Sequence, residues 1–304
     1  MHTILGANGT IARELSRAIA LTNTNIRQVS RNPQKVNLTD EICIADLLDV
    51  GATDTAVAGS DVVYLVAGLK YEAAVWQAQW PHVMRNVIAA CKRHGARLVY
   101  FDNVYAYGKV SGAMTEETPF NPCSKKGEVK AKVATMLLDE MQRGNISAMI
   151  ARAADFYGPG ATQSFPHATV FSRLKLSKTP QWIGNPDAVH TFTYTPDVGD
   201  GLALLARSPE AFGQTWHLPT STELLTGANF VRLACAAADQ PNKIQVAPPW
   251  LLNVMGWFAP VLRENAEMMY QFEADYQFDS AKIESVYSLL ATPYNQGVSA
   301  CLRR

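Results

Sequence analysis

The chain has no excess of charge of either sign. Its 304 residues include 27 lysines and arginines and 27 aspartates and glutamates. Without a global electric field, neither nucleic acid nor an anionic membrane surface is favoured as a partner. The sequence therefore predicts a small-molecule substrate, with no nucleic acid and no membrane as partners.

Paired cysteines and histidine clusters are missing as well. There is no C-x-x-C, and His167 and His190 have no third ligand at the spacing that metal sites use. We therefore expect no metal and no disulfide framework, and scattered cysteines suit a reducing compartment such as the cytoplasm. The cysteines are Cys43, Cys91, Cys123, Cys235 and Cys301.

Long apolar runs are also absent. The longest such stretch, residues 250–262, is interrupted by Asn253 and is too short to span a bilayer. Apolar residues nevertheless make up 48% of the chain. This content is ample for a buried core in one large or two modest globular domains.

The N-terminal stretch "HTILGANGTIARELSRAIAL" predicts a strand, a glycine turn and an amphipathic helix. Gly6 and Gly9 allow a tight turn and a close approach of the backbone, while Ala12 is small enough for the helix to pack on the strand. The helix N-terminus then presents N–H groups and a partial positive charge to a pyrophosphate. A dinucleotide site is predicted here because the turn lies between a strand and a helix.

An acidic residue is missing from the end of the second predicted strand. The stretch "NIRQVSRNPQKV" ends about twenty residues after the glycines, where an acid would bind the ribose diol of NAD. Ser30 and Arg31 stand there instead, and an arginine fork beside a hydroxyl suits a 2′-phosphate. Arg31 could also be a solvated loop residue. The sequence favours NADP as the cofactor and leaves NAD possible.

Strands and helices then continue to alternate. The stretches "EICIADLLD", "DVVYLVAGL" and "ARLVYF" predict strands, and "PHVMRNVIAACKRHG" predicts a helix that stops at Gly95. This order predicts an α/β fold with a doubly wound parallel sheet, a Rossmann fold, with ligands at the carboxyl ends of the strands. The residues expected to contact the cofactor are Gly6, Asn8, Gly9, Thr10, Ile11, Ser30, Arg31, Asp46, Leu47, Val66, Ala67 and Gly68.

Six short motifs occur in an order that resembles a known family. They are "GANGTIA", the pair Asp46-Leu47, "YLVAG", the "YG" of Tyr107-Gly108, "ARAADFYGPG" and "HTFTYTPDVGDGLALL". Over roughly residues 2–218 they resemble the extended short-chain dehydrogenases/reductases, of the NAD(P)-dependent epimerase and dehydratase type. The tail "DYQFDSAKIESVYSLLATPYNQGV" is similar to the usual ending of that family.

The resemblance implies an NAD(P)-binding Rossmann domain and a smaller C-terminal substrate-binding portion. We expect the first to span residues 1–160, completed by about residues 187–220. The second would hold about residues 161–186 and 221–304. A homodimer formed through two helices of each subunit is implied as well.

The catalytic motif of that family is not where the resemblance places it. A serine or threonine is expected four residues before Tyr107, where the chain has Asn103. A Tyr-x-x-x-Lys is expected on the following helix, just after a proline, but Cys123 and Gly127 occupy those positions after Pro122. That helix itself is predicted from a serine cap and a buried face, namely Ser124, Val129, Val133, Met136 and Leu137.

The only Tyr-x-x-x-Lys in the chain joins Tyr105 to Lys109. On a helix, side chains four residues apart share a face, so that a lysine can lower the pKa of the tyrosine. This pair instead crosses a strand end and a turn at Gly108, where no shared face is guaranteed. We therefore expect Tyr105 to pack or to line the pocket, and Lys109 to be solvated.

Four residues remain as catalytic candidates. Lys126, in the first turn of the helix, is the better candidate for a contact to the nicotinamide ribose, although it could be a surface lysine beside Lys125. Asn103 can hydrogen bond a substrate oxygen but cannot donate a proton at neutral pH. Tyr105 or Tyr157 could supply that proton, and Tyr157 could equally be a packed aromatic.

Two classes of function remain open. The first is an NAD(P)-dependent oxidoreductase or epimerase/dehydratase-like enzyme with an altered proton relay, acting on a small carbonyl, hydroxyl or sugar-nucleotide substrate. The second is an NADP-binding sensor or regulatory protein that lost the chemistry, as the nitrogen-metabolite-repression regulators of this superfamily are thought to have done. The missing tyrosine favours the sensor, whereas the polar group of Asn103, Tyr105 and Lys126 favours the enzyme.

Overall fold

A computed structural model describes residues 1–248 and 264–303 of the chain. The strands are β1 (His2–Leu5), β2 (Ile26–Ser30), β3 (Glu41–Ile44), β4 (Val62–Leu65), β5 (Arg97–Asp102), β6 (Ala113–Met114), β7 (Ala148–Arg152), β8 (Asp155–Tyr157), β9 (Gln181–Ile183), β10 (Phe192–Tyr194), β11 (Thr215–His217), β12 (Gln245–Ala247) and β13 (Gln277–Phe278). The helices are α1 (Thr10–Ala20), α2 (Val50–Val57), α3 (Ala73–His94), α4 (Lys125–Gln142), α5 (Ser172–Lys175), α6 (Thr195–Arg207), α7 (Gly227–Ala237), α8 (Ala281–Tyr287) and α9 (Tyr294–Leu302).

Seven parallel strands form the central sheet. Their order is β11-β7-β5-β4-β1-β2-β3, and every neighbouring pair is parallel. The chain moves outward from β1 in one direction to β2 and β3, and then in the other direction to β4, β5, β7 and β11. The order therefore reverses between β1 and β4, and a doubly wound sheet binds its ligands in the crevice outside the carboxyl ends at this point. The predicted fold class is confirmed.

Helices cover both faces of the sheet, so its inner strands are apolar throughout. All four residues of β4 are fully buried. Because successive side chains point to opposite faces, Val63 and Leu65 pack under α2, α3 and α4, while Val62 and Tyr64 pack under α1 and α6. Burial on both faces explains why these strands read as continuous hydrophobic runs rather than as alternating ones.

The C-terminal segments contact elements from earlier in the chain. β13 pairs with β6, and the carboxylate of Asp197, in the first turn of α6, accepts hydrogen bonds from Thr292 N and Thr292 Oγ1 at 2.7 Å each. A separate core packs α7, α9 and the short strands β8 to β10. The C-terminal segments are therefore tied to the region after β5 through pairing with β6, which forms a separate two-stranded sheet, and to α6 through side chains.

No helix of residues 1–248 and 264–303 is long and apolar enough to cross a membrane. The apolar stretch of residues 250–262 lies outside the described residues.

Candidate active site

The glycine turn after β1 is built for a close approach of backbone. Gly6 N and Ala7 N both donate to Val29 O, at 2.9 and 3.0 Å, which ties the turn to β2. Gly6 has φ +109°, and a Cβ there would lie 2.4 Å from Ala67 Cα. Only glycine fits this position, because any side chain would collide with the loop after β4.

Helix α1 begins directly after this turn. The N-cap residue of the helix is Gly9. Because glycine has no side chain, the first backbone N–H groups of α1 have no side-chain hydrogen-bond acceptor. Thr10 Oγ1 donates to Gly160 O at 3.2 Å, so the loop after β8 touches the turn. Ile11 packs in the core, and the cofactor contact predicted for it can come only from its backbone.

Asn8 links the turn to the loop after β2. It adopts φ 77°, its Nδ2 donates to Asn32 O at 2.7 Å, and its Oδ1 accepts from Gln34 N at 3.0 Å. Both side-chain bonds go to protein, so Asn8 shapes the segment that follows β2. The loop that carries Ser30 and Arg31 is therefore held next to the glycine turn.

Arg31 is exposed just beyond the end of β2, and its guanidinium has no ion pair or hydrogen bond within the described residues. Asp40, in the loop between β2 and β3, is turned away from the surface and is 1% exposed. Burial alone would raise the pKa of Asp40, but hydrogen bonds from Asn37, Gln28 and Val36 lower it below its usual value. Asp40 therefore stabilises the loop from inside, while Arg31 stays available at its surface.

The other predicted cofactor loops follow β3 and β4. Asp46 is exposed and its Oδ1 accepts from Leu48 N at 3.0 Å, and Leu47 O accepts from Asn86 Nδ2 of α3 at 2.9 Å. Val66 is buried, Ala67 faces Gly6, and a Cβ on Gly68 would meet open space. These loops lie at the carboxyl edge of the sheet on both sides of β1.

Asn103 and Tyr105 lie just beyond the end of β5. Residues Tyr105–Tyr107 form one 3₁₀ turn, and Asn103 Oδ1 accepts from Tyr105 N at 3.2 Å. The Tyr105 hydroxyl lies 3.2 Å from the hydroxyl of Tyr71, which comes from the loop after β4. Lys109 follows a turn at Gly108 (φ 69°) and is exposed. Tyr105 and Lys109 therefore share no helical face.

The two paired hydroxyls are neutral phenols over the physiological pH range. Burial raises the pKa of Tyr105 well above 10, and the nearby Tyr71 and Asp155 raise it further. Burial also raises the pKa of Tyr71, with a smaller contribution from the Asp155 carboxylate. In this form they can orient a substrate or relay a proton, but neither is an activated base.

Lys126 lies fully buried in the first turn of α4. Its Nζ lies 2.6 Å from Glu264 Oε2, 2.6 Å from Glu267 Oε1 and 2.9 Å from Glu264 O, and 4.5 Å from the centre of the Tyr71 ring. A lysine ammonium has three hydrogens, and all three are used. The ribose contact predicted for Lys126 would have to replace one of these bonds.

A second buried lysine on α4 was missed in the sequence. Lys130 Nζ lies 2.6 Å from Asp102 Oδ1 and donates to the Tyr100 hydroxyl at 2.5 Å. Burial lowers the pKa of Lys130, and the Asp102 carboxylate only partly opposes this shift. Lys126 and Lys130 are four residues apart, the spacing of the expected Tyr-x-x-x-Lys. The pair of Lys126 and Lys130 is not found when the motif is placed by counting from Pro122. A search of the helix for any two candidate residues at i and i+4 finds this pair.

Tyr157 is placed apart from Asn103, Tyr105 and Lys126. It is 1% exposed in the C-terminal core, with ring centres 5.2 Å from Tyr194, 5.8 Å from Phe230 and 5.7 Å from Tyr294. Burial raises its pKa. Gly297 packs directly against it, since a Cβ there would lie 2.4 Å from the Tyr157 hydroxyl. The structure thus brings together three of the four predicted catalytic residues.

His190, which has no third ligand at metal-site spacing in the sequence, is part of a buried pair. Its Nε2 lies 3.0 Å from Asp155 Oδ2, and its ring lies between the rings of Phe272 and Tyr276, at 4.3 and 4.5 Å. No group of three potential metal ligands occurs within the described parts of the chain. Asp155 stands at the start of β8 and was not singled out in the sequence.

Comparison with known proteins identifies the family. Residues 2–218 match the NAD dependent epimerase/dehydratase family. The chain belongs to this family. The resemblance seen in the short motifs is thereby confirmed. Comparison with curated protein sequences gives no match.

Several solved structures of such enzymes share the fold. A dTDP-glucose 4,6-dehydratase double mutant from Streptomyces venezuelae, with NAD bound, is 16% identical, with a TM-score of 0.81 over 100% of this chain and 96% of that one. A UDP-glucose 4-epimerase from Thermus thermophilus, in complex with NAD, is 16% identical, with a TM-score of 0.79 over 99% and 98%. MoeE5, in complex with UDP-glucose and NAD, is 18% identical, with a TM-score of 0.78 over 99% and 97%. At these identities the likeness shows the fold.

Proposed function

We propose that the chain is an NAD(P)-dependent oxidoreductase or epimerase/dehydratase-like enzyme that acts on a small carbonyl, hydroxyl or sugar-nucleotide substrate. One observation carries this proposal. Asn103, Tyr105 and Tyr71 meet the N-terminal half of α4 at the carboxyl ends of β4 and β5, beside the turn where Gly6 contacts Ala67. A doubly wound sheet holds the reactive end of a dinucleotide there.

We propose the following roles for residues of the chain. The Asn103 amide orients a substrate oxygen, and the hydroxyls of Tyr105 and Tyr71 relay a proton to or from it. The cofactor, when bound, supplies or accepts the hydride. Lys126 holds the segment with Glu264 and Glu267 at the crevice, and Lys130 contributes a buried positive charge at the end of β5.

We propose NADP as the preferred cofactor. Ser30, at the end of β2, and the exposed Arg31 after it occupy the position in the sequence pattern where dinucleotide-binding folds contact the ribose, and the carboxylate of Asp40 is hydrogen bonded inward. The neighbouring dehydratase and epimerase structures hold NAD. NAD therefore stays as the alternative cofactor for this chain.

The substrate screen and four variants test the enzymatic proposal. A broad panel of carbonyl compounds and sugar nucleotides is screened with NADPH oxidation as the readout for a net reduction, and with product analysis for an epimerase or dehydratase reaction, which returns the hydride and leaves the cofactor unchanged. In any active pairing, Tyr105→Phe is expected to lower the rate about a hundred-fold, because a positioned proton donor is lost. Asn103→Ala is expected to lower the rate as well, because the amide that orients the substrate oxygen is lost.

Lys109→Ala is the matched control, since Lys109 is exposed beyond the Gly108 turn and is expected to change the rate little. The placement of the site is wrong if Lys109→Ala is as harmful as Tyr105→Phe while Lys126→Ala is silent.

A second candidate, an NADP-binding sensor, is favoured by a specific observation. The three hydrogens of the Lys126 ammonium are all taken by protein, and the pKa values of Tyr71 and Tyr105 are both raised by burial. A site with no activated base suits binding better than catalysis. Tight binding of NADP, together with no turnover across the panel, would favour this candidate.

On the resemblance, we also propose the division of labour along the chain. Residues 1–160, with about 187–220, would bind the cofactor, and about 161–186 and 221–304 would bind the substrate. We propose a homodimer in the cytoplasm, where five free thiols would persist.

A further inference from the structure

Asn8 stands in the glycine turn before α1 and has a left-handed backbone. Its φ is 77°, a conformation that costs most residues free energy, whereas asparagine tolerates it because its short amide can hydrogen bond locally. The side chain is half-buried. Glycine would be the easier choice for the backbone at this position, so the presence of an amide points to a role for the side chain.

The Asn8 amide bridges the glycine turn to the segment after β2. Its Nδ2 donates to Asn32 O at 2.7 Å, and its Oδ1 accepts from Gln34 N at 3.0 Å. Pro33 lies between these two partners, and its ring fixes φ and leaves no N–H. One planar side chain and one proline therefore fix residues 32–34 as a unit against the turn.

The far end of this segment has a different anchor. We call residues 31–37 the Arg31 loop. Asp40 Oδ2 accepts from Val36 N and Asn37 N at 3.0 Å each. The buried Asp40 thus holds the last two residues of the Arg31 loop, five and six positions after the arginine itself.

The near end of the Arg31 loop depends on Asn8. Residues 31–35 make no backbone–backbone hydrogen bond within the described part of the chain. Ser30 Oγ accepts from Asn32 N at 3.3 Å, which is a longer contact than either hydrogen bond of Asn8. The two bonds of Asn8 are therefore the main restraint on the backbone that directly follows Arg31.

This restraint bears on how Arg31 can bind an anion. Arg31 is exposed, and it is covalently joined to Asn32, whose carbonyl group is held by Asn8. A side chain on a mobile loop must be ordered when it binds, which lowers the affinity, whereas a loop that is fixed beforehand avoids this cost. Asn8 therefore lowers the cost of a contact between Arg31 and a phosphate.

We propose that Asn8 is a positioning residue that sets the preference for NADP over NAD, because its side chain holds the Arg31 loop in place without contacting the 2′-phosphate. The inference rests on the proposed preference for NADP and deepens it. A contact between the glycine turn and the pyrophosphate would come from backbone N–H groups, which any residue other than proline keeps at position 8.

Asn8→Gly tests the proposal, with calorimetric titration of NADP and of NAD as the measurement. Glycine adopts a positive φ without strain, so the variant keeps the turn and loses only the two side-chain bonds. The Kd for NADP is expected to rise roughly threefold to tenfold, and the Kd for NAD to change less than about twofold. Asn23→Gly is the matched control, because Asn23 is exposed between α1 and β2 with φ 54°, and it is expected to change neither Kd.

A double-mutant cycle with Arg31→Ala separates positioning from direct contact. If Asn8 acts through Arg31, Asn8→Gly is expected to have no further effect on the Kd for NADP once Arg31 has been removed. An equal loss of NADP affinity in both backgrounds would mean that Asn8 contacts the cofactor by itself, and this would overturn the proposal.

Two further outcomes have different meanings. A wild type that prefers NADP, with an Asn8→Gly variant that keeps the full preference, overturns the positioning role alone. A wild type that binds both cofactors equally refutes the preference for NADP and this inference with it. An equal loss of affinity for NADP and NAD, together with a lowered thermal midpoint, would show a purely structural role and also overturn the proposal. None of the titrations needs turnover, so the result is independent of the substrate screen.

Discussion

Arg31 is the residue on which the proposed preference for NADP depends. One bidentate, charged contact to a 2′-phosphate contributes roughly 1.5 to 3 kcal/mol. NADP is therefore expected to bind about tenfold or more tightly than NAD. Arg31→Ala is expected to remove this difference by weakening NADP alone. Calorimetry with both cofactors measures it.

Arg93→Ala is the control for this measurement, because Arg93 is exposed at the far end of α3 and pairs with Asp54. Equal affinities of the wild type for the two cofactors, or an Arg31→Ala variant that keeps the wild-type affinity for NADP, would show that Arg31 is a solvated loop residue.

Single residues also show where sequence reasoning stops. Gly6 was predictable, because a strand followed by a glycine turn and a helix has few other uses. Tyr157 was not, because "FYGPG" does not reveal that Gly297, far along the chain, packs against the ring. Asp155 and Glu264 were missed for the same reason, since their partners His190 and Lys126 are brought near only by tertiary folding.

At the scale of elements, a buried charged network joins β5, β7 and α4. Asp102 contacts Lys130 Nζ at 2.6 Å and Arg152 Nε at 3.4 Å. Arg152 Nη1 donates to the Tyr107 hydroxyl, which in turn lies 2.9 Å from His217 Nε2. Burial lowers the pKa of His217 to about 3, so this histidine is neutral and accepts from Tyr107.

Asp102→Ala is expected to destabilise the protein by about 3 to 5 kcal/mol, because it leaves two cations buried without their carboxylate. Urea denaturation measures the change. Asp139→Ala, an exposed position on α4, is expected to stay within about 0.5 kcal/mol of the wild type. A similar small effect for Asp102→Ala would show that solvent reaches Lys130 and Arg152.

The elements themselves were largely predictable. Strands β1 to β5 and helices α1, α3 and α4 follow from apolar periodicity and from stop signals such as Gly95, whose φ is +65°. Helix α3 nevertheless begins at Ala73, earlier than the predicted stretch, and contains Pro81. The sequence pattern predicted that the helix starts at Pro81. In the structure the helix begins before Pro81, because Trp76 and Trp80 pack against the core.

At the scale of the whole molecule, the two predicted portions are interleaved. β13 pairs with β6, Thr292 binds Asp197, and His217 Nδ1 donates to Asp279 O at 2.6 Å. Neither portion can unfold without breaking contacts of the other. Separate unfolding transitions usually come from independent domains. We therefore expect a single cooperative unfolding transition for this chain.

Far-ultraviolet and near-ultraviolet circular dichroism during urea denaturation check this expectation. Tryptophans report on both portions, with Trp76, Trp80 and Trp216 in the sheet cores and Trp182 in the C-terminal core. The midpoints are expected to coincide. Two resolved midpoints would mean that the C-terminal core opens by itself.

The saturated ammonium of Lys126 makes two events thermodynamically dependent on each other. A ribose hydroxyl that binds Lys126 must displace Glu264 or Glu267, and these carboxylates also bind Ala73 N and Lys125 N at the starts of α3 and α4. Ligand occupancy and docking of the segment that carries the two glutamates would then oppose each other. By reciprocity, a change that weakens docking of that segment would increase the affinity of Lys126 for its ligand by the same factor.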